Sequence, residues 1–505
     1  MKSLSKVNLV LTVLFYFIIP VWIHAQFTQQ GSRLVGTGAV GTANQGASVS
    51  LSSNGNTAVV GGYGDNSVAG AVWVYTRTGG VWTQQGNKLV GTGAISGGIG
   101  QGHSVSLSAD GNTAVVGGAY DNYNVGAVWV FTRSGGVWTQ QGNKLVGNGA
   151  VGGTAYQGRS VSLSADGNTV VLGGDGDNSG AGAVWIFTRS GGAWTQQGNK
   201  LVGTGAISGG VGQGHSVSLS ADGNTAVVGG AYDNYNVGAV WVFTRSGGVW
   251  TQQGSKLVGT GAVGGAQQGY SVSLSADGNT AVLGGYEDNT FAGAVWVFTR
   301  SGGVWTQQGG KLVGTGATPV GMALQGGSVS LSADGNTAVV GGWADNSQAG
   351  AVWAWTRSGG VWTQQGSKLV GTGAVNGDNG VRQGASVSLS ADGNTTLVGG
   401  PVDNSGAGAA WVWTRSGVPI LSSSNNFDVQ RLNLENNQTL RFNLLTQAHV
   451  IIRLYDSKGA VVKTLLDEVR SAGDYSQLLP KETQANAYLL DFKADGFHKT
   501  VKIQP

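Results

Sequence analysis

The chain has 505 residues and a formal net charge of +3; 92 residues are glycine, only 10% are charged and none is cysteine. The small charge excludes the basic surface that nucleic acids or anionic membranes attract. The lack of cysteine excludes disulfides and thiol catalysis, and the glycine content argues against a helical protein.

Residues 1–25 are typical of a secretory signal peptide. Lys2 and Lys6 precede an apolar run from Leu9 to Ile23, which His24 and Ala25 follow. The run is shorter than the roughly 20 residues of a membrane-spanning helix. We predict cleavage after Ala25 and no transmembrane segment in the mature chain, with an uncleaved anchor as the alternative.

One heptapeptide, Gly-Xaa-Ser-Val-Ser-Leu-Ser, occurs seven times along the chain. The copies follow one another at intervals of 55 to 58 residues, a spacing that identifies a repeat architecture. They begin at Gly46, Gly102, Gly158, Gly214, Gly269, Gly326 and Gly384.

Each repeat of about 56 residues reads as four short strands. In the second copy, residues 104–108 and 113–117 alternate or are apolar, and Asp110 and Gly111 between them predict a two-residue hairpin turn. Residues 126–132 are apolar on both faces, and residues 137–141 follow after a glycine turn. Four antiparallel strands per repeat predict a β-propeller blade.

The two ends of the repeat array complement each other. The last repeat stops after its third strand, at residues 409–414, and the strand that it lacks stands at residues 27–36. A closed ring needs this arrangement, whereas an open array would expose sheet edges. We therefore predict an all-β fold in which residues 26–418 form a seven-bladed β-propeller closed by the N-terminal strand.

The composition changes after the propeller. Residues 419–428 form a linker rich in serine and asparagine, and residues 429–505 contain less glycine and more leucine and charge. Residues 439–444, 449–455 and 488–493 read as strands. We predict a small Ig-like β-sandwich over residues 429–505.

The repeat resembles the FG-GAP repeat of integrin α-type propellers. The resemblance rests on the heptapeptide, on Val-Val-Gly-Gly, and on Asp-Asn followed by Gly-Ala-Val-Trp-Val-Phe-Thr-Arg-Ser-Gly-Gly, and it covers almost all of 26–418. Gln45, Gln101 and their equivalents replace a phenylalanine that the family often has. The family's calcium loop, Asp-Xaa-Asp-Xaa-Asp-Gly, is absent. Its nearest match offers Asp175, Asp177 and Ser179 as ligands, so calcium is the one candidate cofactor and we predict none.

Residues 429–505 resemble the C-terminal sorting domain of type IX secretion substrates. The matching residues are 454–459, Val462, 473–475, Tyr488, 496–497 and 499–503; the family's Pro-Asn-Pro opening is missing. The resemblance implies that this domain binds the type IX secretion machinery of a Gram-negative bacterium. The protein would then be secreted or held on the outer cell surface. A generic Ig-like accessory domain is the alternative.

Catalytic patterns are weak in the propeller. Aspartate or asparagine before glycine closes each first hairpin, which turn chemistry explains. The seven Asp-Asn pairs, of which Asp121 begins one, are expected to cap their own loops. His103 and His215 stand at one blade position, where other copies have Ala47, Arg159, Tyr270, Gly327 or Ala385. Glu287 is the only glutamate of the propeller, so a glycosidase carboxylate pair is not evident.

Variation between the copies concentrates in two connections, one leading into each first strand and one between the second and third strands. In a four-stranded blade both emerge at the same face, and aromatic loops on a rigid scaffold suit ligand binding. The candidate ligand-binding residues are Tyr63, His103, Tyr120, Tyr123, His215, Tyr232, Tyr235, Tyr286 and Trp343. The alternative is drift of unconstrained loops.

We therefore expect an exported, non-enzymatic propeller that binds a glycan or a protein at the cell surface. Two alternatives stay open: a structural surface or matrix protein without a defined ligand, and a carbohydrate-active enzyme.

Overall fold

The computed structural model describes residues 26–415, apart from 96–97, 208–209, 319–320 and 376–379, and six strands between residues 439 and 503. The predicted signal peptide (1–25) and linker (419–428) lie outside the described residues, as does much of 429–505. The chain divides into two compact units, Met1–Ser416 and Gly417–Pro505.

The first unit is a seven-bladed β-propeller, which confirms the predicted fold. Each blade is a four-stranded antiparallel sheet whose strands lie side by side in chain order from the inside outward. In the seventh blade the outermost strand is the N-terminal one. Blades are numbered here from one to seven along the chain by their innermost strands.

The innermost strands are Ser48–Leu51, Ser104–Leu107, Ser160–Leu163, Ser216–Leu219, Ser271–Leu274, Ser328–Leu331 and Ser386–Leu389. The second strands are Thr57–Gly62, Thr113–Gly118, Thr169–Gly174, Thr225–Gly230, Thr280–Gly285, Thr337–Gly342 and Thr395–Gly400. The third strands are Ala71–Thr78, Ala127–Ser134, Ala183–Ser190, Ala239–Ser246, Ala294–Ser301, Ala351–Ser358 and Ala409–Arg415. The outermost strands are Val81–Gln84, Val137–Gln140, Ala193–Gln196, Val249–Gln252, Val304–Gln307, Val361–Gln364 and, in blade seven, Phe27–Gln29.

A four-residue helical turn follows the second strand of each blade. In blade two, Asn122 and Tyr123 of this turn have φ of 51° and 56°, so the backbone is left-handed there. Asparagine adopts this conformation readily, whereas tyrosine does so rarely. The turns are Asp65–Val68, Asp121–Asn124, Asp177–Gly180, Asp233–Asn236, Asp288–Phe291, Asp345–Gln348 and Asp403–Gly406.

The first hairpin of each blade is not the two-residue turn that Asp-Gly predicted. Of the residues in this hairpin turn of blade two, only Gly111 has a positive φ, +70°, and its N–H donates to the carbonyl of Ser108. The carboxylate of Asp110 accepts hydrogen bonds from the Ser108 hydroxyl at 2.5 Å and from the Asn112 N–H at 2.9 Å. The aspartate therefore holds a longer turn closed from within.

Three belts of hydrogen bonds join the innermost strands of neighbouring blades. The Ser104 hydroxyl donates to the carbonyl of Gly158 at 2.8 Å, the Leu163 N–H donates to the Ser106 hydroxyl at 3.1 Å, and the Ala109 N–H donates to the carbonyl of Ala165. The same three bonds recur at every junction between blades, including the one from blade seven to blade one, where Ser386 donates to Gly46. Each belt therefore closes on itself.

A buried tryptophan on each third strand fills the space between blades. Trp129 of blade two lies in one core cluster with Val59, Val72 and Val74 of blade one. Its indole N–H donates to the carbonyl of Thr92 at 2.8 Å, as a buried indole requires. The equivalent rings, all fully buried, are Trp73, Trp185, Trp241, Trp296, Trp353 and Trp411.

A glutamine directly before each heptapeptide holds the connection over this ring. The side-chain oxygen of Gln101 accepts the Gly91 N–H at 2.6 Å, and its side-chain nitrogen donates to the Gly91 carbonyl at 2.9 Å. A Cβ atom at Gly91 would overlap the Trp129 ring. Glycine there lets the backbone lie directly against the indole.

The described strands of the second unit form two antiparallel sheets. Thr439–Leu444 pairs with Gly473–Leu478. The other sheet runs Val461–Arg470, Ala448–Tyr455, Tyr488–Ala494 and Phe497–Ile503 in spatial order. Within the described parts of both units, every helix is too short or too polar to cross a membrane.

The ring closure gives a first prediction. Residues 27–29 pair with Ala409–Arg415 in register Thr28 to Thr414, so deleting 27–36 leaves that strand with unpaired backbone groups. We expect aggregation, or a fall in melting temperature of roughly 5 °C or more in calorimetry. A variant in which the same segment follows Arg415 through a Ser-Gly-Gly-Val turn, as residues 134–137 provide in blade two, should recover stability. A deletion variant that melts like the intact protein would contradict this closure.

Candidate functional site

A buried ion pair ties the two variable connections together at one face of the propeller. The carboxylate of Asp121 accepts the N–H of Ile95, in the connection into blade two, at 2.7 Å and also pairs with Lys144. Corresponding pairs occur in the other blades, such as Asp65 with Lys88 at 2.5 Å. The Asp-Asn aspartates were expected to cap their own loops; instead each one bridges two connections and a lysine or, in blade seven, an arginine.

The residue before each innermost strand lies at the rim of the ring that these strands form. Four consecutive blades place large polar or aromatic side chains there, namely His103, Arg159, His215 and Tyr270. The remaining three blades have Ala47, Gly327 and Ala385. The rim is therefore asymmetric, although the scaffold repeats seven times.

One arc of aromatic rings spans blades one to three. The ring centroids of Tyr63 and His103 are 5.8 Å apart, and those of His103 and Tyr120 are 5.7 Å apart in an edge-to-face arrangement. Tyr120 lies 6.3 Å from Tyr156, again edge to face. These are the distances at which aromatic pairs attract each other.

A second arc spans blades four and five. His215 contacts Tyr232 at a centroid distance of 5.7 Å and Tyr270 at 4.6 Å. Tyr270 in turn lies 4.3 Å from Tyr286. His215 is buried between its two neighbours, whereas Tyr232 is exposed at its outer side.

Blade three joins the two arcs through an arginine and an aspartate. The Nδ1 atom of His215 donates to the carboxylate of Asp175 at 2.9 Å, and Arg159 Nε lies 3.7 Å from the same carboxylate oxygen. On the other side, Nδ1 of His103 donates to the backbone carbonyl of Arg159 at 3.2 Å. We call the whole set the rim cluster: Tyr63, His103, Tyr120, Tyr156, Arg159, Asp175, His215, Tyr232, Tyr270 and Tyr286.

The tyrosines of the cluster fit opposite glycines. A Cβ atom at Gly100 would lie 2.7 Å from the Tyr120 ring, and one at Gly212 would lie 2.8 Å from Tyr232. In blade three the arrangement is reversed, because Tyr156 stands on the connection and would overlap a side chain at Gly176. The same space is thus filled by a ring from one connection or from the other.

The other predicted site residues lie apart from the cluster. Tyr123 and Tyr235, which are 74% and 84% exposed, sit in the left-handed turns and form no ring pair within the described residues. Trp343 instead stacks with Arg382, whose guanidinium lies 5.1 Å from the ring centroid.

The calcium candidates do not converge on one point. Asp177 pairs with Lys200 and accepts the Val151 N–H at 2.7 Å, whereas Asp175 faces His215. Ser179 is exposed in a left-handed turn. Across the described residues, there is no group of three or more acidic, histidine or cysteine side chains placed to hold a metal ion.

Four members of the cluster were not predicted as ligand-binding residues: Tyr156, Arg159, Asp175 and Tyr270. Arg159 and Tyr270 occupy the same repeat position as the two histidines, and this equivalence would have identified them. Tyr156 and Asp175 have no counterpart of the same type in other copies. Only the folded arrangement of the blades brings them to the cluster.

Burial and neighbouring charges together set the protonation of His103 and Asp175. It lowers the pKa of His103 to about 4, with a further contribution from the positive charge of Arg159. Burial would raise the pKa of Asp175, but the hydrogen bond from His215 and the charge of Arg159 outweigh it and lower this pKa. At neutral pH His103 is uncharged and Asp175 is ionised. Burial also raises the pKa of Tyr120, Tyr232 and Tyr270.

The chain matches no known protein-family model, and it matches no curated protein. The resemblances to the FG-GAP repeat and to the sorting domain stay predictions.

The pKa of His103 predicts a pH dependence of stability. The unfolded chain takes up a proton on this side chain near pH 6.5, whereas the folded chain does so only near pH 4. The unfolded state therefore binds more protons between these values, and the free energy of unfolding falls as the pH drops through this window. The loss from His103 alone is at most about 3 kcal/mol, since one pKa unit is worth about 1.4 kcal/mol.

The measurement is denaturant unfolding of the protein and of His103→Ala between pH 7 and pH 4. Alanine is the natural residue at this position in blades one and seven, so the variant should fold. The difference in unfolding free energy between the two proteins should shrink towards pH 4. Parallel curves would show that His103 titrates normally in the folded state.

Proposed function

We propose that the protein is an exported, non-enzymatic binding protein and that the rim cluster forms its binding surface for a glycan or a protein. The observation that carries this proposal is the continuous run of aromatic and polar side chains across five consecutive blades. Ten such side chains in contact, on a scaffold as rigid as a closed ring, are a ready-made recognition surface.

The contrast between the two faces of the propeller supports this proposal. On the face opposite the rim, Arg133 donates to Asn112 in its own blade and to Gln85 and Thr57 of blade one. It also stacks on Trp138, 5.3 Å from the ring centroid. These contacts explain why the Arg-Ser-Gly-Gly turn hardly varies. The rim position has no such structural duty, since alanine and glycine also serve there.

The same proposal includes the location of the protein outside the cell. Residues 1–25 would direct export, and residues 429–505 would act as a type IX sorting domain, with the protein secreted or displayed on the surface of a Gram-negative cell. The support is the resemblance of these segments and the all-β character of the second unit. The propeller itself would be of the FG-GAP type.

Two alternatives lead to different measurements. A structural surface or matrix protein would use the closed belts for rigidity and would bind no ligand saturably. A carbohydrate-active enzyme would consume its ligand rather than hold it. Residues 94–142 and 206–254 differ only at Ile99 and Val211. Recent duplication of a blade would explain this near-identity without a ligand, which favours the structural protein.

The binding face gives a prediction that uses the full chain on glycan and matrix-protein arrays. For any ligand found, Tyr120→Ala, Tyr232→Ala and Tyr286→Ala should each weaken binding by about 1 kcal/mol or more, because each removes a ring that contacts the ligand. Titration calorimetry measures the change, and the melting temperature of each variant shows whether it is folded.

The matched control is Val137→Ala. Val137 is 64% exposed at the opposite face, and blade three has Ala193 at the same position. Its replacement should leave affinity unchanged. Arg133→Ala is a poor control, since this side chain connects two blades. Equal losses from Val137→Ala and from the tyrosine variants would remove the rim cluster as the binding surface.

Export gives a separate prediction. A variant that ends at Ser424 lacks the second unit and should cross the inner membrane but accumulate in the periplasm. Cell fractionation of a Gram-negative host with type IX secretion, with the full chain as control, measures this. Normal display or release of the shortened chain would remove the sorting function.

A further inference from the structure

We propose that the rim cluster binds a neutral carbohydrate and that His215, held in place by Asp175, accepts a hydrogen bond from one of its hydroxyl groups. The inference rests on the proposed function of the rim cluster as a binding surface. It adds the class of ligand and the polar group that recognises it.

Burial and one hydrogen bond fix the orientation of the His215 ring. Its side chain is only 5% exposed and lies between Tyr232 and Tyr270. In the neutral form of the imidazole, donation by Nδ1 to Asp175 leaves the lone pair on the other ring nitrogen, Nε2. Within the part of the chain that the structure describes, no side chain or backbone group donates to Nε2. A nearly buried acceptor is thus left for a ligand donor.

His103 belongs to an almost identical repeat, but its neighbours differ from those of His215. Both histidines contact the tyrosine of their own blade at 5.7 Å. They differ in the preceding blade, which supplies Tyr63 beside His103 but Asp175 beside His215. Only His215 is therefore oriented by a charged partner, and Asp175 is a positioning residue.

The charged residues around His215 are of both signs. The charges of Arg159 and Asp175 oppose each other at 3.7 Å. An anionic ligand would meet the negative charges of Asp175 and Glu287, both of which act on Tyr232. A cationic ligand would meet Arg159. These neighbours favour a ligand without net charge.

The packed rings of the rim cluster leave only small surfaces open to a ligand. The rings pack on one another at 4.3 to 6.3 Å and are partly buried, so each offers an edge or one narrow face. A protein partner commonly needs about 800 Å² of surface on each side. A sugar needs only an apolar C–H face against a ring, hydroxyl donors for an acceptor and hydroxyl acceptors for a donor. Tyr270, His215 and Arg159 supply these three groups side by side.

The test is titration calorimetry of the full chain with neutral oligosaccharides of glucose, mannose, galactose and xylose. We expect one of them to bind saturably, and His215→Ala and Asp175→Ala to weaken it by about tenfold or more, as loss of a hydrogen bond to a buried group does. The control Val137→Ala, on the opposite face, should change affinity by less than about threefold. Alanine already stands at the position of Asp175 in blades two and four, as Ala119 and Ala231, so these variants should fold.

Two readouts separate positioning from general stability. His215→Gln keeps a side-chain acceptor and should recover part of the affinity lost in His215→Ala. The ¹⁵N resonance of His215 Nε2 should shift when the sugar is added, and this shift should be absent in Asp175→Ala.

The outcomes also separate this inference from the proposed function. If His215→Ala and Asp175→Ala bind as tightly as the intact protein while Tyr232→Ala loses affinity, the role of His215 is overturned and the rim cluster remains the binding surface. If no neutral oligosaccharide binds but a matrix protein or a charged glycan does, and Tyr232→Ala weakens that binding, the carbohydrate inference fails and the proposed function stands. If nothing on any array binds, both fail.

Discussion

The closed belts of hydrogen bonds between innermost strands are the constraint on which the rest of the propeller depends. Each junction uses a serine as a short bridge: Ser104 donates to a carbonyl of the next blade, and Ser106 accepts an N–H from it. A longer side chain would separate the strands, and an apolar one would leave buried backbone groups without partners. The repeated Ser-Val-Ser-Leu is therefore a requirement of closure.

Once the inner strands are fixed, the outer parts of each blade follow from buried polar groups that find partners on the backbone. Gln101 satisfies Gly91, Trp129 satisfies Thr92 and Asp121 satisfies Ile95. Few charges are available, since only 10% of the residues are charged, and seven acid–base pairs of the propeller join its connections. Leaving any of these buried groups unpaired costs about 1–3 kcal/mol, which explains why these residues are nearly invariant among copies.

The blade count and the strand pattern could be predicted because they depend on local alternation and on a regular period. The ion pair of Asp121 with Lys144 could not, since 23 residues separate the two and only the packing of the loop against the outer strand unites them. In the aligned copies, a tyrosine on one connection accompanies a glycine on the other, as Tyr120 does Gly100 and Tyr156 does Gly176. Only the structure shows that the two connections share one space, which either ring can fill. Asp175 was considered only as a calcium ligand, because its neighbour His215 lies in another blade.

The rim cluster shows where a sevenfold scaffold can acquire an asymmetric site. Blades two and four are almost the same in sequence, and each carries the same histidine and tyrosine. Their histidines differ because blade three, which lies between them, offers a backbone carbonyl to one and a carboxylate to the other. The chemical character of a rim residue is therefore set by the pair of consecutive blades. A difference at one residue, Asp175 in blade three where blades two and four have Ala119 and Ala231, therefore changes the site without disturbing the belts that hold the ring.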